Sequence, residues 1–326
     1  MSRGDTVGIV GAGGFGTALA VALARAGRPV ALYTRTPAVA DAIARTRRCP
    51  RLPEVAIPDG VQVVQEPSAL AAVARFLVVA VTSTDVTARL RELGASLDGS
   101  HLVVHAIGAL AAPDDVRVSA VIAAQTPVLR AGVLAGPASP RDLAAGRFAS
   151  MVIASAFDEV TREARRLLNL PPALRLYGTR DVVGVELASA LAGAYTVALG
   201  LADGIDVGPG PRAVLVTRAV AEASRLGEAL GGQARTFAGL AGLGNLLVRS
   251  GTEDDPDYAL GRALARGEVV TDRLTEGARA AIAGMRLAQR AKVRMPLLDG
   301  LAAVLAGRAT VADAARLAAD TVAAEE

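Results

Sequence analysis

Val7-Gly8-Ile9-Val10-Gly11-Ala12-Gly13-Gly14-Phe15-Gly16 is a short apolar run that ends in Gly-x-Gly-x-x-Gly and opens directly into an alanine-rich stretch, residues 17–26. That order predicts a buried strand, a tight turn and a helix. Gly11 allows the sharp turn, Gly13 lets a pyrophosphate approach the backbone, and Gly16 lets the helix pack on the strand. The N–H groups and positive dipole end of the helix then face the phosphates, so Gly11, Gly13, Gly14, Phe15 and Gly16 are the candidate cofactor-binding residues. A glycine turn that only packs would read the same in isolation. The strand before it and the helix after it are what give the motif weight.

Working outward, strand-like runs recur at Val7–Val10, Val30–Tyr33, Val61–Val64, Phe76–Val81, Leu102–Ala106, Val128–Leu134, Met151–Ala154 and Leu174–Tyr177. Helical stretches such as Pro37–Arg45, Asp85–Leu97 and Asp158–Leu168 lie between several of them. Alternation of this kind predicts a largely parallel, doubly wound sheet. From Asp181 the pattern is helical only: Asp181–Ala202, Pro211–Leu230, Thr236–Val248, Tyr258–Ala265, a helix near Arg273–Ala291, then Leu297–Ala306 and Val311–Val322. The expected fold class is α/β, a Rossmann-type domain over residues 1–180 followed by an all-α substrate or dimerisation domain over residues 181–326. A cleft is expected at their junction.

The 326 residues are 52% hydrophobic and 21% charged, with a formal charge of +3, which describes a globular chain with no basic field for nucleic acid. Aromatics are 3% and tryptophan is absent, which argues against base-stacking platforms. The run Leu187–Ala202 is short for a membrane span and reads as a buried helix. No metal centre is expected. A single cysteine, Cys49, excludes an intramolecular disulfide framework and receives no role. With a core strand at the N-terminus and no signal peptide, a cytoplasmic protein is expected. Most telling, the 35 basic residues include one lysine, Lys292, and the chain has two histidines, His101 and His105. Arginine is a poor proton shuttle, so groups for acid–base work near neutral pH are scarce.

Several separated blocks resemble the bacterial soluble NAD(P)-dependent glycerol-3-phosphate dehydrogenases. They are residues 11–20, Leu52-Pro53 with Ile57-Pro58, Ala135-Gly136-Pro137, Asp181–Leu187, Arg212–Arg218, Glu222–Gly227, Thr236–Gly244 and Glu276-Gly277. The resemblance implies NAD or NADP as cofactor, and hydride transfer between the nicotinamide and C2 of sn-glycerol 3-phosphate or glycerone phosphate. It also implies lysines at the C2 oxygen, an aspartate nearby, and an Arg-Asn pair near phosphate and cofactor.

Carried over residue by residue, those chemical positions are altered. The family's Lys-Gly pair is Ile107-Gly108, its Ala-x-Lys-Asn is Ala190-Leu191-Ala192-Gly193, and its Gly-Leu-Gly-Asp ends in Asn245. Its Ser-Arg-Asn aligns with Asp255-Pro256-Asp257, and an asparagine two residues before Arg212 is Gly210. Ala192 has no proton to donate and Ile107 is a hydrocarbon. Loss of one such electrostatic group costs ~10²–10³ in rate. Asp255 and Asp257 are expected to repel a phosphate unless they point away.

Remaining candidates follow. Arg35 stands after the second strand where NAD enzymes carry an acid, which tilts the cofactor toward NADP; a solvated arginine is the plainer reading. Glu276 is a candidate at the cofactor ribose. Gly136 and Arg212 are candidates at the substrate, and Arg218 is expected to pair with Glu222. His105 shares a face with residue 107 if the strand continues, and Tyr195 lies three residues after Ala192 on one helix face, so both are possible substitute acids. For His105 a hydrogen-bonded or surface histidine is the plainer reading, and for Tyr195 it is packing. The expectation is therefore a dinucleotide-binding family member with the parent activity lost or strongly impaired. The alternatives are a dehydrogenase for a less charged carbonyl or alcohol, and a nucleotide-sensing or partner-binding pseudoenzyme, as a homodimer.

Overall fold

The computed structural model describes residues 3–268 and 274–313. The chain divides into two compact units. Unit 1 comprises Met1–Ile107 and Ala111–Val182; unit 2 comprises Gly108–Leu110 and Val183–Glu326.

Unit 1 alternates β1 (Val7–Val10), α1 (Gly14–Arg25), β2 (Val30–Tyr33), α2 (Pro37–Thr46), β3 (Arg48–Cys49), β4 (Leu52–Ala56), β5 (Val61–Val64), α3 (Pro67–Val73), β6 (Phe76–Val79) and α4 (Val86–Gly94). It continues with β7 (Leu102–His105), α5 (Val118–Gln125), β8 (Arg130–Ala135), α6 (Pro140–Ala144), β9 (Ala149–Ala154), α7 (Asp158–Leu168) and β10 (Leu174–Thr179). Among the described residues, eight strands form one sheet in the order β10-β9-β8-β7-β6-β1-β2-β5, with β3 and β4 as a separate antiparallel hairpin. The central strands are apolar on both faces because helices cover both, and β1, β2, β6 and β7 are buried throughout. The chain leaves β1 for β2 on one side and returns to β6 on the other. The strand order therefore reverses at β1, whose carboxyl end is the glycine turn, where doubly wound sheets take their ligands.

The sheet departs from the expected parallel plan at one place. β9 runs antiparallel to β8 and carries β10 with it. The five-residue α6 between β8 and β9 is too short to serve as a crossover helix, so the chain turns back.

Unit 2 is helical among its described residues: α8 (Val182–Gly204), α9 (Pro209–Ala229), α10 (Ala234–Phe237), a π-helical turn (Leu240–Gly244), α11 (Asn245–Arg249), α12 (Pro256–Ala265), α13 (Glu276–Ala291) and α14 (Pro296–Leu305). α8 matches the helix expected over Asp181–Ala202 within two residues at its end; its 23 residues are apolar enough to cross a membrane by length and composition, beyond what the run Leu187–Ala202 suggested, but 83% of its apolar window is buried. It is the core helix of this unit. The single helix expected over Thr236–Val248 is broken. Glycines at 239, 242 and 244 weaken the α ladder, and Gly244 N–H reaches back five residues to the Gly239 carbonyl at 3.0 Å. The helix expected over Val311–Val322 lies outside the described residues beyond Asp313.

Candidate functional site

In unit 1 the turn after β1 is built for close approach. Gly11 has φ +112°, a conformation that favours glycine, and its N–H donates to the Tyr33 carbonyl at 2.9 Å. A Cβ at Gly16 would collide with the Gly11 carbonyl, so helix and turn are in backbone contact. Gly13 differs. A Cβ there would meet only the Ala80 carbonyl, at 3.9 Å, which leaves open space in front of α1. Gly13 is the N-cap and supplies no capping side chain, so the first N–H groups of the 12-residue α1 point to that space. A pyrophosphate fits this cradle.

Arg51 and Pro140 flank Gly14, each with atoms within 4 Å of where its Cβ would be. The β3–β4 hairpin is pinned to the turn by Cys49. Its buried thiol donates to the Ala12 carbonyl at 3.2 Å and accepts from Arg51 N–H at 3.4 Å. No spacing in the sequence announced that contact. Arg35 is exposed in the bend between β2 and α2. At the end of β2 the Tyr33 hydroxyl donates to Glu92 at 3.3 Å, and Glu92 is ion-paired with Arg89.

Unit 2 gathers a second set. Asn245 Nδ2 donates to Ser189 Oγ at 3.4 Å, and both residues are buried. Ser189 Oγ faces Gly108, 3.3 Å from where a Cβ would stand. Further along α8, Gly193 adjoins Arg249: a Cβ on Gly193 would lie 2.9 Å from Arg249 Nη1. Arg249 donates through Nε to Asp255 Oδ2 at 2.8 Å and through Nη2 to Asp257 Oδ2. Burial opposes the Arg249 charge, but Asp257 and Asp255 outweigh it and hold its pKa above the ordinary value. Asp255 caps α12 by accepting from Asp257 N–H and Tyr258 N–H, and Asp257 Oδ1 accepts from Gly277 N–H at 2.8 Å at the start of α13. The two aspartates therefore do not stand as bare charges. Among the described residues no group of three His, Cys, Asp or Glu could hold a metal ion.

A family model described as the NAD-dependent glycerol-3-phosphate dehydrogenase N-terminus matches residues 6–161, and its C-terminal counterpart matches residues 181–316. The chain is 33% identical over 326 residues to glycerol-3-phosphate dehydrogenase [NAD(P)+] of Gluconobacter oxydans, covering 98% of each chain. It is 34% identical over 315 residues to the protein of that name from Rhizobium etli, covering 95% of this chain and 96% of that one. This chain belongs to the NAD-dependent glycerol-3-phosphate dehydrogenase family. Its fold matches the crystal structure of glycerol-3-phosphate dehydrogenase from Coxiella burnetii with TM-score 0.89 and 25% identity, covering 97% and 98% of the two chains. A ketopantoate reductase from Ralstonia eutropha shares the fold at TM-score 0.59 and 18% identity, with 93% and 98% covered.

Against that family frame, several candidates lie away from where the sequence placed them. Tyr195 is buried and its hydroxyl donates to Glu222 Oε2 at 2.9 Å. Burial and the Glu222 charge push its pKa well above the ordinary tyrosine value, and its proton is directed at that carboxylate. Glu222 is occupied by Tyr195 and by Leu297 N–H and Leu298 N–H at 2.7 and 3.3 Å, not by the expected partner Arg218. Arg212 donates through Nε to both Asp203 oxygens, at 3.0 and 3.1 Å, and Asp203 also accepts the Tyr258 hydroxyl. The charge expected to meet a phosphate is thus matched inside unit 2.

His105 is fully buried at the end of β7, and its Nδ1 accepts from Ile107 N–H at 3.4 Å. Because the strand ends at His105, the alternation meant to put 105 and 107 on one face stops there. Ala192 lies on α8 and Asn245 opens α11, both buried. Gly136 has φ +144° and lies against Met151 of β9, which accounts for glycine at that place by backbone approach alone. Glu276 opens α13, where the helix dipole favours an acid, 3.8 Å from Arg279.

Proposed function

We propose that this chain binds NADP(H) or NAD(H) through the β1–α1 turn and turns over sn-glycerol 3-phosphate and glycerone phosphate weakly or not at all. The observation that carries the reading is the replacement of the family's cations by neutral or internally consumed groups. Hydride delivery to C2 leaves an oxygen that needs a proton. Ala192 and Ile107 have none to give, and the Asn245 amide is committed to Ser189. Arg249, a half-buried cation beside Gly193, is matched by two carboxylates. A nicotinamide cofactor, when bound, supplies the hydride; Gly13, Gly14 and Phe15 hold its pyrophosphate, and Glu276 is our candidate at the ribose. Arg35, with no acid at positions 34 or 36, favours the 2′-phosphate of NADP(H). The single buried cysteine suits a reducing compartment, and we read the protein as cytoplasmic.

The test pairs two measurements on the full chain: NADPH and NADH binding by nicotinamide fluorescence, and cofactor oxidation with glycerone phosphate. Binding with turnover at least ~10²-fold below an ordinary dehydrogenase supports the reading. Turnover at about 10 s⁻¹ overturns it.

One observation favours a second reading, reduction of an uncharged carbonyl. The Ser189–Asn245 pair beside Gly108 is a neutral hydrogen-bonding site. A screen of uncharged ketones and aldehydes for NADPH oxidation checks it, and loss of the signal in Ser189→Ala assigns it to this pair.

A further inference from the structure

Arg249, Asp255 and Asp257 form a closed ionic lock in unit 2. All four carboxylate oxygens are used. Asp255 Oδ1 accepts from Asp257 N–H at 2.9 Å and Tyr258 N–H at 3.3 Å, and its Oδ2 accepts from Arg249 Nε. Asp257 Oδ1 accepts from Gly277 N–H, and its Oδ2 accepts from Arg249 Nη2. The side chains of Arg249, Asp255 and Asp257 are 20%, 15% and 1% exposed. One guanidinium thus ties the end of α11, the cap of α12 and the first turn of α13. Two glycines make room for it. A Cβ on Gly193 would crowd Arg249 Nη1 at 2.9 Å, and one on Gly277 would lie 2.6 Å from Asp257 Cγ. The placement of Arg249 therefore depends on glycine at 193, since a side chain at that position would displace the guanidinium.

The lock holds one positive and two negative charges, a formal −1 in a partly desolvated place where charges are felt strongly. We infer that the Arg249–Asp255–Asp257 lock is a specificity element that rejects a phosphorylated substrate at this face of α8 and admits one that is uncharged at that end. The inference rests on the proposed reading that unit 2 meets substrate beside Ala192. The arginine cannot turn outward to greet an anion without leaving the buried Asp257 and the half-buried Asp255 short of their cation. The surplus negative charge repels a phosphate dianion directly.

Asp257→Asn tests it. The amide oxygen keeps the Gly277 N–H bond, one negative charge is removed, and the cluster becomes neutral. Calorimetry on the full chain with NADPH present is run with sn-glycerol 3-phosphate, inorganic phosphate and glycerol. We expect the variant to bind sn-glycerol 3-phosphate at least about tenfold more tightly than the original chain, a ~1.4 kcal/mol change, with glycerol unaltered. Asp255→Asn removes the same charge and keeps a good N-cap, so it serves if Asp257→Asn does not fold. Equal sn-glycerol 3-phosphate affinity in the original chain and in a folded neutralised variant overturns the inference. That outcome is separate from the turnover assay: glycerone phosphate reduction at an ordinary rate sinks the proposed function, whereas unchanged affinity alone sinks only the lock.

Discussion

Gly13→Ala separates a glycine kept for a ligand from a glycine kept for the fold. Gly13 has φ −82° and ψ −175°, extended backbone open to alanine, and the added methyl would meet nothing closer than the Ala80 carbonyl at 3.9 Å. The fold should therefore tolerate it, with stability altered by no more than about 1 kcal/mol, a less flexible unfolded chain being set against alanine's poorer fit at an N-cap. A phosphate seated on the first N–H groups of α1 would instead meet the methyl. Losing one charge-assisted hydrogen bond costs about 1.5–3 kcal/mol, so NADPH affinity should fall roughly 10- to 150-fold. Gly16→Ala gives the opposite pattern: the methyl collides with the Gly11 carbonyl, and overpacking against backbone should cost at least about 1–3 kcal/mol of stability. Nicotinamide fluorescence titration reads the affinities cleanly because the chain contains no tryptophan, and thermal melts read the stabilities. A Gly13→Ala protein that melts normally and binds NADPH within twofold of the original would refute the placement of the pyrophosphate.

Three further outcomes are expected. Arg35→Glu should weaken NADPH at least about tenfold while leaving NADH similar or tighter, read in the same titration; equal losses for both cofactors would remove Arg35 from the 2′-phosphate. Tyr195→Phe should leave cofactor binding unchanged and lower stability by about 1–2 kcal/mol, since it removes a buried hydrogen bond to a carboxylate. Glu222 is pushed above its ordinary 4.5 by burial, against the hydrogen bonds from Leu297, Tyr195 and Leu298. A folded-state pKa above the unfolded one means that the native form binds the proton more tightly. Its stability contribution is full below about pH 4.5 and is lost as pH rises through the raised value. Glu222→Gln should flatten that segment of the stability–pH profile in urea melts, and an unchanged profile would contradict it.

The strand pattern of unit 1 and the split into sheet and helical halves were legible because burial on both faces writes continuous apolar runs, as at Val30–Tyr33 and Phe76–Val79. α7 was readable to its ends from Asp158 and Glu159 in its first turn and arginines in its last. The β3–β4 hairpin was missed because Arg48 and Leu52–Ala56 carry little apolar signal; it is held by a thiol–carbonyl contact instead. The turn-back at β9 was hidden because strand direction depends on crossover length, not composition. At the candidate site, isoleucine at 107, alanine at 192 and the single lysine at 292 were plain from residue identity alone. The Arg249 lock was not, because Asp255 and Asp257 read as repulsive charges until a cation six and eight residues away is seen to fold back on them.

The start of α14 is satisfied by a carboxylate far upstream. Met295, at its N-cap, offers no side-chain acceptor, and the N–H groups of Leu297 and Leu298 bond to Glu222 instead, 75 and 76 positions earlier. During synthesis a ribosome must therefore deliver residue 298 before that acid finds its backbone partners. Until then α9 carries a carboxylate that is at home in water and costly to bury, and the helical half should stay loose and protease-sensitive until residue 298 has emerged.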